Sequence, residues 1–241
     1  MFEKEQQVKE VLFFMKLKTD LVIMGSGMAG ISAADAALAR GKKVIVFEKK
    51  PYQGGAVSNC PIAYVSIRKD RAFQNAAFHL LYEYSNYNAN PSVIRQYVNN
   101  SWRTKEYIER LGIKMIPTQQ LELEDIGDPK YADGFPPAVM AHGDFYLVPG
   151  RGKGHGGALI CLNAMKDIIK RGGQYMLNTP ITDILVDENG KVTGVKAVNN
   201  ETKEEIEVEC EAVIIASGGI MEDREMMKKY TGFTFTDYNC S

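Results

Sequence analysis

Six residues, Gly25-Ser26-Gly27-Met28-Ala29-Gly30, limit what this chain can fold into more than any other feature. Glycine stands at the first, third and sixth places, directly after the apolar run 21–24 and directly before the alanine-rich run 28–40. Such an order reads as a buried strand bending tightly into a helix. A second apolar run, 43–47, follows the turn at Gly41. Strand, helix and strand then fit in about thirty residues, and a connection of that kind makes the two strands parallel. The same glycines divide residues 21–39, which carry a single charge at Asp35 and would otherwise pass for a membrane helix.

Each glycine has its own duty in such a turn. Gly25 permits the sharp bend, Gly27 lets a diphosphate approach the backbone, and Gly30 lets the helix lie close on the strand. The N–H groups that open the helix, at Met28, Ala29 and Gly30, have no acceptor within it and carry the positive end of its dipole, which makes an anion site. Glu48 ends the second strand about twenty residues on, where a carboxylate accepts ribose hydroxyls and repels a 2′-phosphate. The pattern therefore fits FAD or NAD and argues against NADP.

Downstream, residues 71–84 and 92–111 show helical spacing, the second ending at Gly112. Residues 117–157 read as irregular and hold a glycine cluster from Gly150 to Gly157. Residues 158–171 form a third helical stretch closed by Gly172-Gly173. Runs at 174–177, 181–186, 192–198 and 205–208 read as strands, the last three as an antiparallel meander turning at Glu188-Asn189-Gly190 and at Asn199-Asn200. A last wholly apolar strand, 212–216, leads into Ser217-Gly218-Gly219. The fold class that follows is α/β: a Rossmann-like, doubly wound parallel sheet with an inserted antiparallel β-meander. Its domain spans residues 20–241, after an N-terminal extension at 1–19.

Charge and cysteine usage remove other classes. Lys and Arg total 29 against 30 Asp and Glu, a net charge of -1, so the broad cationic field of nucleic-acid binding is missing. At 241 residues the chain buries a sizeable core without staples. Its four cysteines, Cys60, Cys161, Cys210 and Cys240, form no CxxC pair. That spacing excludes a zinc knot, and reduced thiols point to the cytoplasm. The N-terminus shows no cationic leader, and no membrane span is expected. His155, in a basic glycine loop, reads as a solvated cation, while His142 stands alone. His79 reads as a structural helix residue among apolar neighbours. Cys60 reads as a small buried hydrophobe, and the aromatics from Phe73 to Tyr87 read as helix core and surface.

Residues 21–49 resemble the ADP-binding opening of FAD-dependent oxidoreductases, with Ala34, Leu38, Gly41, Val44 and Glu48 in their usual places. Gly54-Gly55-Ala56-Val57-Ser58-Asn59, the helix after Gly156-Gly157, the stretch from Thr179 to the Gly190 hairpin, and the block from Ala212 to Gly219 resemble the fumarate reductase/succinate dehydrogenase flavoprotein family. That resemblance implies a glutathione-reductase-type FAD domain and flavin-mediated hydride exchange with an activated carbon–carbon bond. By matching position it assigns Gly25, Gly27, Met28, Ala29, Gly30 and Glu48 to the ADP half. It assigns Lys49, Gly55 and Ser58 to the pyrophosphate and ribityl chain, the Ile181 backbone to adenine, and Ala216, Ser217 and Gly218 to closure over the dinucleotide.

Members of that family continue into a capping domain and a return segment that this sequence lacks. The family's substrate-clamping residues lie mostly there, so no catalytic residue carries over. The histidine that holds flavin covalently has no match near Gly55, which implies noncovalent FAD. A sheet without its last strand exposes an edge, so self-association or a partner chain is expected beside a small-molecule substrate. A flavin- or nucleotide-binding module without catalysis of its own, or a truncated fragment that needs a partner for activity, is the alternative reading. An NAD-dependent dehydrogenase on a plain Rossmann core is a third, disfavoured by the meander and the second glycine turn.

Overall fold

The computed structural model describes residues 14–59, 63–120, 144–147, 156–220 and 223–233. In chain order these form β1 (Phe14–Lys18), β2 (Leu21–Met24), α1 (Met28–Leu38), β3 (Val44–Phe47), a 3₁₀ turn (Gly55–Asn59), β4 (Ala63–Ser66), α2 (Arg71–Tyr84), α3 (Pro91–Asn100) and α4 (Arg103–Arg110). After these come β5 (Ile116–Gln120), β6 (Asp144–Leu147), α5 (Gly156–Lys170), β7 (Gln174–Met176), β8 (Ile181–Val186), β9 (Val192–Val198), β10 (Glu205–Glu209), β11 (Ala212–Ile215) and α6 (Arg224–Thr231). The chain divides into two compact units, residues 1–55 with 168–241, and residues 56–167.

The first unit is built on a four-stranded sheet in the order β11-β2-β3-β7, parallel throughout. Register aligns the carboxyl ends: Met24 pairs with Phe47 and with Ile215, and Phe47 pairs with Met176. Strand β3 is buried at every residue, so both of its faces need cover. On one face lies α1, whose Ile31, Ala34 and Ala37 are buried. The other is covered by the meander: Val22, Ile45 and Phe47 share a core with Val195, Ala197, Ile206 and Val208. Full burial of each of these Val, Ile and Phe side chains contributes about 1.5–3 kcal/mol. The apolar character of β2, expected from helices on both faces, is thus explained by a helix on one and strands on the other.

The meander β8-β9-β10 is antiparallel, as its turn spacing predicts, and lies in the chain between β7 and β11. Its outer edge is not open. Strand β1 pairs parallel with β10, so residues read only as an extension complete a four-stranded sheet. Lys16 and Lys18 meet Glu207 and Glu209 across that pair. These are exposed ion pairs, which fix register more than they add stability.

In the second unit, Phe73 and Ala77 of α2 pack with Ile67 and with Val98 of α3. Asp70 caps α2 through Phe73 N–H, and Asn90 caps α3 ahead of Pro91. The single helix expected over 92–111 is two helices. The Asn99 carbonyl, which an unbroken helix would offer to Arg103, accepts the indole N–H of Trp102 at 2.8 Å. Buried Ser101 meanwhile turns its hydroxyl to the Ile67 N–H at 3.0 Å. Residues 117–157 are less irregular than expected, because β5 and β6 pair with each other and β6 pairs with β4. His79 is exposed on α2, edge-on to Phe78, rather than packed among apolar neighbours. Phe73 is buried while Tyr84 and Tyr87 are exposed, the core-and-surface pattern expected of that stretch. Cys60, His142, His155 and Cys240 lie outside the described residues.

Candidate functional site

Three glycine-containing turns meet at the carboxyl edge of the parallel sheet, at the crevice where strand order turns back around β2. Open α/β sheets bind their ligands at such a crevice. The ladder extends one step into each turn: Gly25 N–H donates to Phe47 O at 2.7 Å, and Ala216 N–H donates to Met24 O at 2.8 Å. The first turn is therefore pinned on both sides by backbone.

How tightly shows in the room around each glycine. Gly25 has φ +103°, and a Cβ there would stand 2.5 Å from Ala216 O. A Cβ on Gly30 would stand 1.9 Å from Gly25 O and 3.5 Å from Ile23 Cγ2. Gly27 differs, since a Cβ there meets nothing within 4 Å. Gly25 and Gly30 are thus glycines because protein fills the space, and Gly27 sits beneath open space. Gly55, on the second turn, approaches it: a Cβ on Gly55 would be 3.9 Å from Gly27 Cα.

Among the described residues, α1 brings no competing side chain to its own mouth. Gly27 caps it with extended backbone (φ -67°, ψ -175°) and without a side-chain bond, and no acidic residue stands in its first turn. The first intrahelical bond runs from Ile31 N–H to Gly27 O. The N–H groups of Met28, Ala29 and Gly30 precede it and find no carbonyl within the helix. This is the donor set that an anion requires.

Glu48 supplies the acceptor. It is 5% exposed, and its backbone is held between strand ends by Glu48 N–H to Met176 O at 2.9 Å and Thr179 N–H to Glu48 O at 2.8 Å. The carboxylate is satisfied by Ser26 N–H (3.0 Å) and Ser26 Oγ (2.7 Å) at Oε2, and by Lys50 N–H (3.0 Å) at Oε1. The role of Ser26 went unread in the sequence. Its only signal is a hydroxyl between two motif glycines.

The structure brings Gly25, Gly27, Met28, Ala29, Gly30, Glu48, Gly55 and Ala216 together, with Ser217 and Gly218 continuing the third turn. Lys49 follows Glu48 and is exposed. Ile181 opens β8, two residues past Thr179, and pairs with Ala197. Ser58 is buried on the turn Gly55–Asn59 and belongs to the second unit. Among the described residues no cluster of His, Cys, Asp and Glu could hold a metal, and no helix is long and apolar enough to cross a membrane. Cys161 and Cys210 are free and buried.

These features fit a dinucleotide: open space above Gly27, free helix-opening donors, and a buried carboxylate beside them. The sequence profile of a family described as FAD binding domain matches residues 20–238. The chain is 31% identical over 232 residues to the NADH:fumarate oxidoreductase of Klebsiella pneumoniae (strain 342), covering 91% of this chain and 23% of that protein. It is 26% identical over 221 residues to the vinyl phenol reductase of Lactiplantibacillus plantarum, covering 89% of this chain and 40% of that one. A solved structure, the open conformation of a flavocytochrome c3 fumarate reductase, shares the fold with a TM-score of 0.71 at 17% identity, over 90% of this chain and 36% of that chain. The likeness to fumarate reductase flavoproteins read from the glycine blocks is borne out. The chain spans less than half the length of these relatives.

Proposed function

This chain belongs to the FAD binding domain family and its cofactor is FAD; from that premise we propose that the carboxyl edge of the parallel sheet holds the ADP half of the dinucleotide. In this reading the N–H groups of Met28, Ala29 and Gly30 bind the diphosphate over Gly27, and Glu48 accepts from the adenosine ribose. Lys49, Gly55 and Ser58 follow the pyrophosphate and ribityl chain, the Ile181 backbone meets adenine, and Ala216, Ser217 and Gly218 close over the dinucleotide. The observation that carries the reading is the room at the helix opening: a Cβ on Gly27 would meet nothing within 4 Å, while Gly55 approaches Gly27 and Ala216 abuts Gly25. Titration of the purified chain with FAD, followed by flavin fluorescence, tests it. Saturable binding that Gly27→Val abolishes is expected, and a chain that ignores FAD would refute it.

Bound flavin supplies hydride chemistry, and the proposed activity is reduction of an activated carbon–carbon double bond in a small molecule. Names of relatives support that class: one is a fumarate oxidoreductase and another a vinyl phenol reductase. This chain's part is to bind and orient the cofactor, and no residue in it is assigned to the acceptor. A second reading is a flavin-binding module that turns over only with further polypeptide; the small share of its relatives that it spans favours it. Fumarate-dependent oxidation of reduced viologen separates the two.

Self-association or a partner chain belongs to the same proposal. Strand β11 ends the sheet, with Ile214 and Ile215 39% and 66% exposed, and an apolar edge of that kind invites another strand. A cytoplasmic address is likewise proposed, supported by the free thiols of Cys161 and Cys210.

A further inference from the structure

We propose that Ser26 is a positioning residue: its hydroxyl fixes the Glu48 carboxylate so that one oxygen only, Oε1, faces the ribose, and ties that carboxylate to the turn beside the diphosphate. The inference rests on the reading of Glu48 as the ribose ligand and goes beyond it.

The argument is one of acceptor capacity. A carboxylate offers about four lone-pair positions, two on each oxygen. Oε2 of Glu48 takes Ser26 N–H and Ser26 Oγ–H, so both of its positions are used. Oε1 takes Lys50 N–H and, among the described residues, keeps one position open. Ser26 is fully buried, and its two bonds hold one carboxylate oxygen against the turn. Glu48 therefore reads one sugar hydroxyl, not two.

The same hydroxyl faces the other way. Having spent its proton on Glu48, Ser26 Oγ accepts from the buried Gly54 N–H at 3.0 Å. Gly54 takes φ +105° and Gly55 φ +51°, and Gly55 is the residue whose Cβ would come within 3.9 Å of Gly27 Cα. One side chain thus links the sugar end of the site to the turn next to the anion end. Without the hydroxyl, Gly54 N–H loses its acceptor and Glu48 loses one of its locks.

The test is a double-mutant cycle on FAD affinity in the purified chain, with Ser26→Ala, Glu48→Ala and the pair. Ser26→Ala should weaken FAD by roughly tenfold or more, the scale of a lost hydrogen bond to a charged group. In the Glu48→Ala background the same change should cost clearly less than in the native chain, what remains being the loss at Gly54, because coupled residues are non-additive. Hydrogen exchange at Gly54 should quicken in Ser26→Ala, and Ser26→Cys, which keeps the volume with a weaker donor, should fall between. A second probe compares ADP with its 2′-deoxy and 3′-deoxy analogues on the native chain: one analogue should bind like ADP and the other about tenfold more weakly. Additive losses in the cycle, or equal sensitivity to both missing hydroxyls, would overturn the proposal. If the native chain fails to bind FAD at all, the cofactor site is wrong; if it binds and Ser26→Ala binds equally well, only the role of Ser26 is wrong.

Discussion

Two glycines three residues apart should respond to the same substitution in opposite ways. In Gly30→Ala the new Cβ starts 1.9 Å from Gly25 O. Reaching ordinary contact means withdrawing α1 from β2 by roughly 1 Å or more, across an interface packed to crystal density. Gly25 cannot yield, because its own face is blocked by Ala216 O. Overpacking of this severity costs about 3 kcal/mol, of which about 1 kcal/mol is recovered from the better helix propensity of alanine. The net loss of about 2 kcal/mol corresponds to roughly 4–8 °C in melting temperature for a chain of this size. In Gly27→Ala the new Cβ meets nothing, and φ -67° suits any residue. A weaker N-cap and a stiffer unfolded chain then nearly cancel, within about 1 kcal/mol. Its effect should fall on the ligand, with FAD affinity reduced roughly tenfold or more where the methyl occupies the diphosphate's approach. Thermal unfolding without ligand and FAD titration, run on both variants, separate the two. A Gly30→Ala chain as stable as the native one would refute the packing argument. A Gly27→Ala chain with native affinity would refute the placement of the diphosphate.

Glu48→Gln replaces an acceptor with an amide that must point a donor at either Ser26 N–H or Lys50 N–H; a loss of about 1–3 kcal/mol in urea unfolding is expected, together with at least tenfold weaker FAD binding. The Cys161 thiol is buried, which pushes its pKa up to about 11 from 9.0. Between those values the unfolded chain releases a proton that the folded chain keeps, so this residue's contribution is level below about pH 9 and lost on rising to about pH 11. Cys161→Ala should flatten that part of the stability profile, measured as the difference between the two chains in denaturant midpoint. Ile215→Lys places a charge on the exposed end of β11 and should shift sedimentation toward the monomer while leaving FAD affinity within about twofold.

The sequence made the nucleotide edge legible because its constraints are local. Glycine at Gly30 answers to the backbone of Gly25, five residues away, and Glu48 closes the next strand; only the reason for Gly25, the carbonyl of Ala216, is remote. The meander was legible for the same reason, since β8, β9 and β10 are joined by short turns. What escaped depends on distant partners. The alternation of Phe14, Lys16 and Lys18 with Met15 and Leu17 is a strand pattern, but its complement, Glu205, Glu207 and Glu209, lies at the far end of the chain. Strands β4, β5 and β6 pair across long separations, and Pro117 in β5 argues against a strand when read alone. The break before α4 hangs on one indole N–H, which periodicity does not see. Ser26 was hidden in plain sight, because its importance lies in four hydrogen-bonding atoms that only folding assembles.

The floor beneath Gly25 is Ala216, a residue contributed by nearly the last stretch of this chain. During synthesis, the motif nearest the N-terminus emerges early but stays unsupported on one flank until β11 arrives to lie beside β2. Closing such a long-range parallel pair is slow, so the cradle stays half built until β11 has been made and has paired. A ligand gripped by this turn therefore acts late, on the finished sheet, and stabilises the folded chain by mass action.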